Sequence, residues 1–183
     1  MTNSTKGKVE EALIRYFRWA SEATHVPEWD RDQRFTSGGS HRPRDFLTRR
    51  ERRLVRDAVL NSGYGWDIVS LVLTSLDAAF RPVEVQRAHP GWVDIDNMLL
   101  RIPREDSSKN EDNWRVSVTK RTATALDRWL DKRDDDEMYD DRDELWLTRE
   151  ATPWSSRSLS RLIKRLCGDA GIETGGRSMT WYS

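Results

Sequence analysis

The sequence predicts an α+β fold, mostly helical, with one small three-stranded antiparallel sheet. Three observations carry that expectation. Apolar residues recur at helical spacing in several separate segments. Between Val93 and Val118 the pattern changes to short alternating runs broken by turn residues, which is strand chemistry. Finally, Leu71–Phe80 is apolar on almost every side and reads as a buried helix around which the rest must pack.

Residues 5–23 place Val9, Leu13, Tyr16, Phe17 and Ala20 on one helical stripe. The stretch from His25 to Arg44 holds Pro27, Gly38, Gly39, Ser40 and Pro43 among charges, and reads as a linker. A domain boundary is therefore expected near residue 44. Thr48-Arg49-Arg50-Glu51 is a capping-box pattern. The helix it opens, to about Leu60, is expected to bury Leu54, Val55, Ala58 and Val59 and to turn Arg49, Arg52, Arg53 and Arg56 outward. Asn61–Gly65 ends it, and the buried helix follows from about Trp66.

Pro82 excludes Arg81 from a helix interior and suits the first position of a new short helix. Arg81 is then a rigidly mounted guanidinium three residues before the carboxylate of Glu84. Ala88–Gly91 is a turn. Val93 and Ile95 mark a first strand, Asp96-Asn97 a tight turn, Leu100 and Ile102 a second strand stopped by Pro103. A polar loop carrying Lys109 leads to a third strand with Trp114, Val116 and Val118. Ala123, Leu126, Trp129 and Leu130 define another helix, which runs into the acidic stretch ending at Glu144. Leu145-Trp146-Leu147 is a short apolar segment. Ser155 and Ser156 cap a helix with Leu159, Leu162, Ile163 and Leu166 inside and Arg157, Arg161, Lys164 and Arg165 outside, closed by Gly168 and Gly171.

With 183 residues, 36% hydrophobic and 34% charged, the chain suits one ordinary folded domain and a short piece of a second. No apolar run approaches bilayer length, and the N-terminus lacks the apolar segment of a secretory signal, so no membrane association is expected. The single cysteine, Cys167, excludes an intramolecular disulfide and fits a reducing cytoplasm. One cysteine and three scattered histidines offer no metal-ligand cluster. Net charge is zero, but His41–Arg56 and Arg157–Arg165 are basic while Asp131–Glu144 is acidic, and such segregation can build a basic face on a neutral protein.

Read in isolation, Arg81 and Glu84 make an i,i+3 ion pair. Lys109 reads equally as a solvated loop lysine, and Lys120 falls at a helix start. The order of the elements adds more. A capped helix, a buried helix, Ala79-Phe80-Arg81-Pro82-Val83-Glu84-Val85, a three-stranded meander with a loop lysine, and two further helices resemble the first two-thirds of the catalytic domain of tyrosine recombinases, the phage integrase family. The motif matches that family's first signature, a small and an apolar residue before Arg-x-x-Glu-Leu/Val. The resemblance covers roughly Arg44–Ser183. It makes residues 1–43 the end of a core-binding domain plus linker, and 44–183 a partial catalytic domain.

The resemblance implies double-stranded DNA as partner, a homotetramer in the intact family, and no metal, nucleotide or other cofactor. There is then no small-molecule substrate. A tyrosine attacks a DNA phosphodiester to give a 3′-phosphotyrosine and a free 5′-hydroxyl. Without a metal, charge on the non-bridging oxygens is met by arginines, whose planar fork engages two oxygens at once. Arg81 would be the first such arginine, Glu84 its support, and Lys109 the acid that protonates the leaving oxygen. Arg49, Arg52, Arg53, Arg161 and Arg165 would contact phosphates and give steep salt dependence.

The family's second box, His/Lys-x-x-Arg, and the tyrosine beyond it do not follow Arg81 in these residues. Tyr182 falls before the nucleophile position, and Tyr16, Tyr64 and Tyr139 match no corresponding segment. The expectation is an integrase fragment, truncated before the second arginine box, that neither nicks DNA nor forms an adduct by itself. The alternative is a catalytically dead DNA-binding module that masks or regulates a recombination site. A third reading is an inert remnant in which part of Leu71–Phe80 lies uncovered.

Overall fold

The structure is a computed structural model that describes residues 3–24, 35, 47–106 and 113–174. The chain divides into two compact units, Met1–Pro43 and Arg44–Ser183. In the first, α1 (Asn3–Thr24) is a single long helix. Its expected apolar stripe is largely exposed: Val9, Leu13 and Tyr16 face outward, with Trp19 beside them, and of the stripe only Ala20 is buried. The buried carboxylate of Glu10 accepts the Phe35 amide at 2.8 Å.

The second unit runs α2 (Arg49–Asn61), α3 (Trp66–Ala78), α4 (Pro82–Arg87), a short 3-10 turn, β1 (Val93–Asp94), β2 (Leu99–Ile102), β3 (Trp114–Ser117), α5 (Lys120–Asp134), a second 3-10 turn and α6 (Ser156–Asp169). It is the predicted α+β arrangement, and the strands form one antiparallel sheet in the order β1-β2-β3. The register pairs Leu100 with Val116 and Ile102 with Trp114 on the core face, and Arg101 with Arg115 on the outer face. Two arginines directly opposed repel each other. Asp94 offsets this by hydrogen-bonding the Arg101 guanidinium. Ile95 belongs to the turn and not to β1, and Met98 closes that turn at φ 52°.

Core formation centres on α3. Val69 through Leu76 are all buried, as are Ala78 and Phe80. The reading that leaves part of Leu71–Phe80 uncovered is therefore corrected: α2, α5 and β3 all contact α3. Thr48 caps α2 as the sequence predicts, with Glu51 accepting the Thr48 amide at 2.8 Å. The buried face of α2 differs from expectation. Val55 and Val59 are fully buried, but Leu54 is exposed and Arg56 is half-buried. The inward stripe is thus 52, 55, 56 and 59, rotated from the predicted one because Arg56 is drawn to a carboxylate on α3.

Leu145–Leu147 became an internal strap. Its backbone bonds Ala88 (2.6 Å), the Trp129 indole (2.8 Å) and the Tyr139 hydroxyl (2.8 Å), while the Trp146 indole donates to Ser70 on α3 at 2.9 Å. Burial pushes the Tyr139 phenol up to about 12, so it stays neutral while accepting the Leu147 amide. The Arg133 guanidinium lies over the Tyr139 ring and donates to the carbonyls of Arg142 and Glu144. One short apolar stretch therefore ties α3, α4 and α5 together.

Candidate functional site

Arg81 is placed by a break in the backbone. α3 ends at Ala78, and Ala79 takes a left-handed conformation (φ 52°, ψ 39°), which costs a non-glycine residue roughly 1 kcal/mol. Phe80 is buried, with its ring edge-on to Trp92 and Trp114, and anchors the segment. Pro82 then starts α4, with Arg81 in extended backbone at the N-cap. Glu84 is 2% exposed, and its Oε2 accepts the Arg81 amide at 2.7 Å. Its other oxygen lies 3.8 Å from the Arg81 guanidinium, which is 44% exposed. Glu84 thus fixes the backbone of Arg81 more firmly than its side chain. The result is an anchored backbone presenting a solvent-reaching guanidinium.

A second carboxylate, which the sequence did not mark, lies one turn earlier. The Asp77 side chain is 6% exposed and uses both oxygens. One accepts Arg56 of α2 at 2.7 Å; the other accepts the Thr119 amide at 3.0 Å and the Thr122 hydroxyl at 2.6 Å, at the start of α5. Arg56 therefore does not point outward as predicted. Burial raises the Asp77 carboxyl, but the bonds from Thr122 and Thr119 and the charge of Arg56 outweigh it and hold the group below its ordinary value of 3.8. A depressed carboxyl stabilises the fold above the unfolded pKa, and that contribution disappears as pH falls through the folded value. Urea midpoints measured from about pH 5 down to about pH 2 should fall more steeply for the unsubstituted chain than for Asp77→Asn.

These contacts also orient α2. Its C-terminal end meets the start of α3 through the short turn at residues 62–65, and its middle meets the end of α3 through Arg56 and Asp77. The two helices form an antiparallel hairpin. The first turns of α2, carrying Arg49, Arg52 and Arg53, therefore lie at the same end as Arg81. Arg49 and Arg53 are exposed; Arg52 is half-buried and donates from Nε to the Leu47 carbonyl at 3.2 Å.

Arg161 and Arg165 lie elsewhere. With Arg149, which the sequence reading missed, they line a cleft of about 1050 Å³ bounded by residues 62–68, the 147–150 turn and α6. That cleft opens at the N-terminal end of α3, whereas Arg81 follows its C-terminal end. Asp67, Glu150 and Asp169 share its lining, and the Tyr64 hydroxyl donates to Asp169 at 2.7 Å. Burial and then the Asp169 bond raise the Tyr64 phenol. Arg149 sits in a turn with no periodic pattern, which is why sequence reasoning passed over it.

Lys109 lies outside the described residues. The base of its loop is defined: Ile102 pairs with Trp114, and Arg104 donates its amide to Asn113 at 2.7 Å. Arg87, at the end of α4, approaches the Asp106 carbonyl at 3.4 Å, and His89 lies 3.7 Å from the Asp106 carboxylate. The loop thus springs from beside α4, whose N-cap is Arg81. Lys120 begins α5. Among the described residues no cluster of three His, Cys, Asp or Glu side chains could hold a metal ion, and no helix is long and apolar enough to cross a membrane.

No protein-family model matches the chain, and no curated protein is significantly similar to it. Solved structures do match. A XerA recombinase superposes with a TM-score of 0.60 at 17% identity, covering 95% of this chain and 56% of its own. The Tn1549 transposon integrase, in complex with transposon right-end DNA, gives 0.64 at 12% identity, covering 92% and 58%. A lambda integrase dimer bound to a COC′ core site gives 0.58 at 14% identity, covering 98% and 49%. The chain has the tyrosine recombinase fold and spans about half to three-fifths of these proteins' length.

Proposed function

We propose that this chain is the duplex-DNA-binding part of a site-specific recombinase of the tyrosine family, acting in DNA recombination and integration. The observation that carries the proposal is the mounting of Arg81. A left-handed Ala79, Pro82 and the buried carboxylate of Glu84 fix its backbone at the pole where α2 presents Arg49, Arg52 and Arg53. A guanidinium so placed can donate to two phosphate oxygens without reorganising. Glu84 acts as its support. Lys109, between β2 and β3, is the proposed proton donor to the leaving 5′-oxygen. The fold likeness supports this reading: one neighbour was solved on transposon-end DNA, and another as a lambda integrase tetramer on a Holliday junction. The proposed partner is accordingly double-stranded DNA, with assembly into a homotetramer.

Cleavage by this chemistry needs a His/Lys-x-x-Arg box and a tyrosine placed after it, and no such box follows Arg81 in these 183 residues. Binding without cleavage is therefore the expected behaviour of this polypeptide, whether it serves in recombination or masks a site. The test is fluorescence anisotropy with a short labelled duplex at low salt. Saturable binding that weakens steeply with added salt is expected; no binding at low salt would overturn the proposal.

A further inference from the structure

We propose that Asp77 is a positioning residue that sets Arg81 and the arginines of α2 in register for phosphate binding; the inference rests on the DNA-binding reading above. Three features of Asp77 are poorly explained by stability alone. It places a negative charge in the last turn of α3, the end where the helix dipole disfavours one. It is almost enclosed within the most apolar helix of the chain, where an apolar side chain of similar size often stabilises as well as a buried ion pair. And its hydrogen bonds are directional, converging on both oxygens from two other elements.

What the carboxylate supplies is geometry. Arg56 holds one oxygen from α2, three residues after Arg53. Thr119 and Thr122 hold the other from the start of α5. Thr119 lies two residues beyond β3, the strand that closes the loop carrying Lys109. Asp77 itself precedes Arg81 by four residues. α2, through Arg56, and the start of α5, through Thr119 and Thr122, therefore meet at one short side chain four residues before Arg81, with both carboxylate oxygens engaged. An apolar replacement could fill the space but would not fix these distances.

A double-mutant cycle tests this, with anisotropy of a short labelled duplex as readout and circular dichroism confirming the fold of each variant. Asp77→Asn should weaken binding about tenfold in the otherwise unsubstituted chain. In an Arg81→Ala background the same substitution should change binding by less than about twofold, because with Arg81 gone there is no register between it and the α2 arginines left to hold. Thr122→Val, nearly isosteric, removes the bond to Asp77 together with the contact to the Thr119 hydroxyl and runs the same cycle should Asp77→Asn fail to fold; a loss of about threefold, confined to the background that keeps Arg81, is expected. Equal losses in both backgrounds would show a general structural role and overturn the inference while leaving DNA binding intact. Failure of the unsubstituted chain to bind DNA at low salt would overturn both.

Discussion

Arg49→Glu/Arg52→Glu/Arg53→Glu is expected to weaken binding to a short DNA duplex by on the order of 10³-fold at low salt. Each lost charge-assisted phosphate contact removes roughly 1.5–3 kcal/mol, and the new carboxylates add repulsion. The fold should survive, since Arg49 and Arg53 are exposed and only Arg52 makes a backbone bond, to Leu47. The matching reversal at the other end of the α2/α3 hairpin, Arg161→Glu/Arg165→Glu, should cost about tenfold or less. Those arginines share their cleft with Asp67, Glu150 and Asp169, whose charges already offset theirs. Anisotropy titrations of the two variants side by side decide which pole faces DNA. A ranking opposite to this one would move the interface to the cleft.

Trp146→Ala should have the largest effect on stability. Trp146 is 1% exposed, sits in the strap between α3 and the end of α4, and donates its indole N–H to Ser70. Removing a buried tryptophan costs about 3–5 kcal/mol, against a total of about 5–15 kcal/mol for a typical domain. The variant should be largely unfolded in mild urea, judged by far-UV circular dichroism. Trp146→Phe keeps most of the volume but strips Ser70 of its donor, and should cost about 1–3 kcal/mol. A small loss in the alanine variant would mean that the strap is not the tie described above.

Much of this architecture was legible because it is written in neighbouring residues. Thr48 and Glu51, three apart, make a cap visible in any sequence, and so does Pro82 behind Arg81. Leu71–Phe80 could only be a buried helix, and the alternation from Leu100 to Val118 could only be strands. The strap, in contrast, reads as three apolar residues in a polar region; its side-chain partners lie 8, 16 and 76 positions away, and its backbone partner is Ala88 at the end of α4. The same holds for Asp77. Its partners are 21, 42 and 45 positions distant, so nothing local explained a carboxylate in an apolar helix. That long-range pair also rotated the buried face of α2, leaving Leu54 outside and drawing Arg56 in. Arg81 and Glu84 were found from local order, whereas the separation of Arg161 and Arg165 from them follows only from how α2 and α3 fold back on each other.

The central claim, that Arg81 holds a DNA phosphate, is tested most directly by salt dependence. Each neutralised phosphate contributes about −0.9 to the slope of log Kobs against log salt concentration. Four arginines, Arg49, Arg52, Arg53 and Arg81, therefore predict a slope of about −3.6 for the unsubstituted chain. Arg81→Ala should bring it to about −2.7, with weakening similar on unrelated duplex sequences. An unchanged slope for Arg81→Ala would mean that this guanidinium does not touch DNA, and would contradict the account.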